Sequence, residues 1–251
     1  MILFLAGTSD ARELAIELQK KGHSLLATVV TDSAANSLEE AGIAHHVGRL
    51  STEEMATIIN EKGVTTVIDA SHPYAEEASK TAMAAAEQCK LTYIRYERPQ
   101  QQYVNPLIAE VETYEEAALI AREHKGTVML TTGSKTLATF TKYLLNDSIR
   151  LVCRMLPNKE NMEKCDLLGV KQRDIIAIQG PFSKELNTAL YLQYETTLVI
   201  TKESGKVGSV DEKMDAALEL NIPVILIKRP KITYINQCST FEAVFQTLGG
   251  I

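Results

Sequence analysis

The chain has 251 residues, 45% hydrophobic and 23% charged, with 13 Gly and 7 Pro, which excludes a disordered, collagen-like or low-complexity polymer. No apolar run approaches the roughly 20 residues that span a bilayer. A net charge of −6 argues against a generic nucleic-acid binder, so any anionic ligand must be met by local cations.

The opening MILFLAGTSD is too short and too quickly polar for a signal peptide, and reads as a strand entering a turn. ARELAIELQKKG follows with helical apolar spacing and a Gly stop, then SLLATVV as a strand. SLEEAG and TEEMATIINEKG are predicted helices, the second opened by a Ser51/Thr52 cap with acidic residues behind it. VTTVIDAS is a strand, AEEASKTAMAAAEQCK a helix and LTYIRYE a strand. The second half repeats the scheme. TVMLTTGSKTL is strand, turn and helix, IRLVCRML and DIIAIQG are strand-like, and FSKELNTALYLQYE is a helix. TTLVITKESG is a strand and turn, DEKMDAALELN a helix and IPVILIKRP a strand. Alternating strands and helices imply parallel sheets covered on both faces.

The halves also match in detail. LAGTSDAREL lies over LTTGSKTL, with Gly7 over Gly133, and TTVIDASHP lies over TTLVITKES. Each half then reaches a strand ending in Arg-Pro (Arg98-Pro99, Arg229-Pro230) and a Glu-Ala segment, TYEEAALIA or TFEAVFQTL. The pattern predicts two similar α/β units over 1–99 and 100–251, with the last 20 or so residues able to pack back on the first. Such pairs usually hold ligands in the cleft between them, beyond the carboxyl ends of the strands. Four cysteines without a CxxC pair point to reduced thiols and a soluble, cytoplasmic protein rather than a disulfide framework or structural zinc.

Several turns could carry chemistry. At Gly7-Thr8-Ser9-Asp10-Ala11-Arg12 a glycine permits close approach to a phosphate. The helix start there offers N–H groups, and Arg12 can reach an anion. The single glycine falls short of GxGxxG, and a tight turn capped by Ser9 or Asp10 explains the stretch equally well. Asp32 follows the second strand, where an acid accepts from both ribose hydroxyls and favours NADH over NADPH; a plain turn residue is the alternative. In Asp69-Ala70-Ser71-His72-Pro73-Tyr74-Ala75, Pro73 suits a first helical position. His72 and Tyr74 could bond a nicotinamide or donate a proton, or be a cap and a packing ring. His45-His46 reads as a strand edge with no metal role. Thr131-Thr132-Gly133-Ser134-Lys135, Gln179-Gly180-Pro181-Phe182-Ser183 and Thr201-Lys202-Glu203-Ser204-Gly205 all lie just past apolar strands. Lys135, Arg154, Lys202, Lys206 and Lys213 would gather positive charge, though each lysine alone suits a solvated surface.

GxSxG, HExxH and P-loop signatures are missing, as hydride transfer allows, since there the cofactor supplies the chemistry. GTSDAREL, DASHPYA, RYERP, TTGSK, QGPFS, TKESG with DEKMDAA, and IPVILIKRP together resemble the signature stretches of the precorrin-6A reductases, cobalt-precorrin-6A reductases included, from residue 2 to about 230. The resemblance implies two Rossmann-like domains with mostly parallel sheets and the active site in the cleft between them. It also implies NADH- or NADPH-dependent reduction of a ring double bond of (cobalt-)precorrin-6A to precorrin-6B, and hence a corrinoid tetrapyrrole as partner. Carried over, Gly7, Thr8, Ser9, Arg12, Ser71, His72 and Tyr74 face the cofactor from the first domain, with Thr132, Gly133 and Ser134 from the second; Asp32 joins them by its place after the second strand, and His72 and Tyr74 are the catalytic candidates, the resemblance itself naming no proton donor. Lys135, Gln179, Gly180, Pro181, Ser183, Lys202, Glu203, Ser204, Gly205 and Lys213 face the substrate, the lysines as counter-ions to its carboxylates. Some members have two glycines at the first turn; Ala6-Gly7 here implies a less close approach of main chain to pyrophosphate. Two other classes compete. A short-chain-type reductase lacks its Tyr-x-x-x-Lys pair, since Tyr191 and Tyr194 have no Lys four residues on. A non-enzymatic nucleotide-sensing module would leave QGPFS and TKESG without a large ligand. Nothing in the sequence speaks to oligomeric state.

Overall fold

The computed structural model describes residues 1–100, 103–203 and 212–249. They divide into two compact units, Met1–Pro99 with Pro230–Ile251, and Gln100–Arg229.

In the first unit β1 (Ile2–Leu5) leads to α1 (Ser9–Lys20), β2 (Leu25–Val29) to α2 (Asp32–Glu39), and β3 (His45–Val47) to α3 (Thr52–Lys62). Then come β4 (Thr66–Asp69), α4 (Glu76–Gln88) and β5 (Thr92–Tyr96). In the second unit β6 (Ile108–Val111) is followed by α5 (Tyr114–Arg122), β7 (Gly126–Leu130), a 3-10 turn over Ser134–Thr136 and α6 (Leu137–Leu144). Next are β8 (Ile149–Met155), α7 (Lys159–Leu167), a 3-10 turn over Gln172–Asp174, β9 (Ile175–Ala177), α8 (Lys184–Gln193), β10 (Thr196–Lys202), α9 (Glu212–Glu219) and β11 (Val224–Ile227). Finally β12 (Gln237–Cys238) and α10 (Phe241–Gly249) return to the first unit.

Each sheet has six parallel strands, in the orders β3-β2-β1-β4-β5-β12 and β9-β8-β7-β10-β11-β6. With β7 matched to β1 these are one order, that of a doubly wound dinucleotide-binding sheet. The sixth strands are exchanged along the chain. The strand after Arg98-Pro99 edges the second sheet, and the strand after Arg229-Pro230 edges the first.

Alternation along β1 builds the layers, because successive side chains leave opposite faces. Ile2 and Phe4 bury against Leu14 and Leu18 of α1, Leu38 of α2 and Val244 of α10. Leu3 and Leu5 bury against Met55 and Ile59 of α3 and the small face Ala82 and Ala85 of α4. In the second sheet Met129, Val152, Val199 and Leu226 share a core with Tyr191 of α8 and Met214 of α9. No helix among the described residues is long and apolar enough to cross a membrane.

Local capping departs from the sequence reading in places. Ser51 does open α3, in a capping box with Glu54, and Gly63 closes it at φ 60°. Thr8, rather than Ser9 or Asp10, caps α1, its side chain accepting from Ala11 N–H. The SLEEAG helix starts earlier, at Asp32, because Thr31 supplies the cap. Pro73 is not a first helical residue. The Ala75 N–H bonds the His72 carbonyl at 2.7 Å, so Pro73 sits second in a tight turn and α4 begins at Glu76.

Candidate functional site

Both units carry their polar turns at the carboxyl ends of their strands, the end where doubly wound sheets take ligands. In the first, β1 and β4 are hydrogen-bonded neighbours, and their turns touch. A Cβ on Gly7 would stand 3.2 Å from the His72 nitrogen and 3.5 Å from the Ser71 Cα, so glycine permits this approach of the two main chains. Gly7 and Ser9 are exposed at the start of α1 and so is Arg12 in its first turn, while the Thr8 hydroxyl is spent on the cap. Asp10 is half-buried and ion-paired with Arg98 at 2.7 Å, fixing the helix start to the end of the β5 segment.

The β4 turn is held from below. Asp69 and Arg95 are fully buried and 2.9 Å apart, and Asp69 Oδ1 also accepts from the Ser71 N–H at 2.9 Å. The exposed His72 accepts the Tyr74 N–H on Nδ1 at 3.2 Å, with the two rings 5.6 Å apart. In its neutral form that ring therefore carries its proton on Nε2. Asp32 stands exposed at the adjoining strand end, in the first turn of α2. The structure thus brings Gly7, Ser71 and His72 into contact and leaves Asp32 one strand away.

In the second unit, Thr132 is buried with its hydroxyl 2.8 Å from that of Thr136, and Gly133 takes φ 82° before Ser134 starts the 3-10 turn. The exposed Gln179 precedes Gly180 and a cis Pro181. A Cβ on Gly180 would meet the Phe182 ring at 3.0 Å, so the glycine lets that ring fold over the turn. The other side of the arrangement is Arg154, nearly buried, with its guanidinium carbon 4.4 Å from the Phe182 ring centroid. Arg154 Nη1 donates to Asn187 Oδ1 at 2.7 Å, and Asn187 Nδ2 donates to the Ser183 carbonyl at 2.7 Å. Ser183 caps α8 through its hydroxyl.

Lys202 ends β10. Burial, with the like charges of Lys213 and Lys135, pushes its ammonium down to about 8. Those two lysines, one at the start of α9 and one in the exposed β7 turn, are thereby brought near Lys202 as the sequence alone could not arrange. Glu203 is buried and paired with Arg229 at 3.2 Å. Ser204, Gly205 and Lys206 lie outside the described residues. Among those described, no cluster of His, Cys, Asp or Glu could hold a metal ion.

Sequence reasoning gave Arg95 no role, although it opens the RYERP stretch. A charge inside the alternating strand TYIRY was the available signal, since a buried arginine requires a partner.

A family model described as precorrin-6x reductase CbiJ/CobK matches residues 1–249. A protein of Priestia megaterium named cobalt-precorrin-6A reductase is 57% identical over 99% of this chain and 98% of its own length. One of the same name from Methanothermobacter thermautotrophicus is 35% identical over 100% of this chain and 82% of its own. The solved structure titled CobK precorrin-6A reductase superposes with a TM-score of 0.80 at 24% identity, over 99% of this chain and 96% of that one, and so shares the fold.

Proposed function

Since the chain belongs to the precorrin-6x reductase family CbiJ/CobK, we propose that it reduces cobalt-precorrin-6A to cobalt-precorrin-6B in cobalamin biosynthesis, using NADH in preference to NADPH. It is an oxidoreductase acting on a CH–CH bond, and its corrinoid substrate is a carboxylate-rich macrocycle. The observation that carries this is the family match through both units, residues 1–249. The metal-bearing form of the substrate is favoured by the names of the relatives from Priestia and Methanothermobacter.

The first unit fits a dinucleotide. Its strand order is the doubly wound one, and Gly7, just before a 12-residue helix, lets the β1 and β4 turns close together at the strand ends. Gly7, Thr8 and Ser9 present main-chain N–H groups to the pyrophosphate, and Arg12 adds a cation. Asp32 accepts from the adenosine ribose hydroxyls and disfavours a 2′-phosphate. Ser71, His72 and Tyr74 would hold the nicotinamide, and the Thr132-Gly133-Ser134 turn is a further candidate for cofactor contact. A reduced nicotinamide held there would supply the hydride for one carbon of the ring double bond. His72 would offer its Nε2–H as a hydrogen-bond donor to the nicotinamide, its ring oriented by the Tyr74 N–H on Nδ1, and water would supply the proton the other carbon needs.

Lys135, Lys202 and Lys213 meet the macrocycle's carboxylates. Gln179, Gly180, Pro181 and Ser183 form the turn that Arg154 and Asn187 brace, and Glu203, Ser204 and Gly205 complete the substrate set. Purified protein should oxidise NADH in the presence of cobalt-precorrin-6A, with a matching change in the corrinoid's visible spectrum. A protein that binds the cofactor but turns over no precorrin-6A form would defeat the proposal.

A further inference from the structure

The register of the two sheets offers an internal comparison. In the first, Leu5 of β1 lies opposite Asp69 of β4, and Asp69 opposite Arg95 of β5. In the second, Leu226 of β11 stands where Arg95 does, three residues before the Arg of its Arg-Pro, and Thr201 of β10, opposite Leu226, stands where Asp69 does. One position in one strand order therefore holds a buried ion pair in one sheet and an uncharged, equally buried threonine and leucine in the other. Burying two charges is costly, and apolar residues of similar volume usually serve stability as well or better. The second sheet demonstrates that this architecture closes without the pair.

The hydrogen bonds show where the pair is directed. Asp69 Oδ1 accepts from the Ser71 N–H and from Arg95 Nη1, both at 2.9 Å, and Oδ2 accepts from the Tyr93 hydroxyl at 2.7 Å. Arg95 Nη1 lies 3.3 Å from both the Asp69 carbonyl and the Ser71 hydroxyl. Its Nε and Nη2 hold Glu97 at 3.1 and 2.8 Å, and the Tyr234 ring covers the guanidinium at 5.1 Å. Burial and the Asp69 charge push the Tyr93 hydroxyl far above its ordinary value, so it stays a donor. Backbone and hydroxyl of Ser71 are thus gripped at once, and Ser71 starts the turn that carries His72 and abuts Gly7.

We propose that Asp69 and Arg95 are positioning residues for the nicotinamide cofactor: their buried pair sets the Ser71–Tyr74 turn, and through it cofactor affinity, rather than holding the sheet together. The inference rests on the reading that this turn faces the cofactor. A site held by side chains that are themselves locked binds with less ordering cost.

The test titrates the full chain with NADH and NADPH and, separately, measures KM for the corrinoid. Asp69→Val with Arg95→Met should melt cooperatively, bind cofactor about tenfold or more weakly, and keep the wild-type corrinoid KM. Asp69→Asn should return cofactor affinity to near wild type, because its amide oxygen still accepts the Ser71 N–H. Wild-type cofactor affinity in the double variant, or an equal loss for both ligands, would overturn the proposal. Should the double variant not fold, Tyr93→Phe decides: it should weaken cofactor binding severalfold and spare the corrinoid KM, and no change in either sinks the idea. Gly7→Val separates the two levels. If it leaves cofactor affinity intact, the site reading itself fails; if it weakens binding while the double variant does not, only the positioning role fails.

Discussion

At the carboxyl edge of the first sheet the charges are matched inside the unit: Asp69 and Glu97 with Arg95, and Asp10 with Arg98. At the equivalent edge of the second, Glu203 and Arg229 also pair, but three lysines share one neighbourhood, and the buried Arg154 is met by an amide and an aromatic face. The backbones are alike in strand order, so the contrast is a property of side chains at a few strand ends. One scaffold, used twice, carries a glycine-bearing turn at one sheet edge and a cationic cluster at the other; on the proposed function the first would serve a dinucleotide and the second a polycarboxylate. The helix starts differ in the same sense. Thr8 delivers β1 directly into α1, whereas β7 passes through Gly133 and a 3-10 turn that leaves Lys135 exposed.

Perturbing each unit separately tests that division of labour. The largest effect should come from His72→Ala, which should lower kcat by roughly 100-fold while the melting temperature stays near wild type; equal loss of turnover and stability would make His72 a structural residue. Lys202→Ala should raise the corrinoid KM by about 10- to 100-fold through one lost charge-assisted contact, with cofactor affinity unchanged in the same titration. Gly7→Val should do the reverse, weakening cofactor binding about tenfold and sparing the corrinoid KM.

The pH profile sharpens the contrast further. Lys202 titrates near 8, so the ammonium is present below that pH and lost as pH rises through it. Corrinoid KM should be flat below pH 8 and climb above it, and Lys202→Arg should flatten the rise. A smaller change is expected from Asp32→Ala, which should reduce the NADH-to-NADPH preference about tenfold; an unchanged ratio would remove that acid from the ribose. The smallest belongs to a residue outside both sites. Ser51→Ala breaks the α3 capping box and should cost about 1 kcal/mol of stability, read by denaturant unfolding, with kinetics intact.

Much of the architecture was legible before any coordinates. Alternating apolar strands and Ala-rich helices, the paired Arg-Pro endings and the glycine turns all express local periodicity and turn chemistry, which short stretches of sequence carry by themselves. The short or polar elements β6, α7 and β12 were not read, because two to nine residues with weak apolar contrast carry little period to detect. The site was legible as a set of turns and as a resemblance, but not as an arrangement.

What the amino-acid order determined by itself is the class of fold, the family it resembles and the residue types at each strand end, since these depend on neighbours close along the chain. Only the tertiary structure decided which strand edges which sheet, that Gly7 backs onto His72, that Asp69 and Arg95 pair out of water, and that Lys202 loses basicity beside Lys135 and Lys213. Each of those is a contact or a field between residues far apart in sequence, and such terms exist only once parallel pairing has set the register.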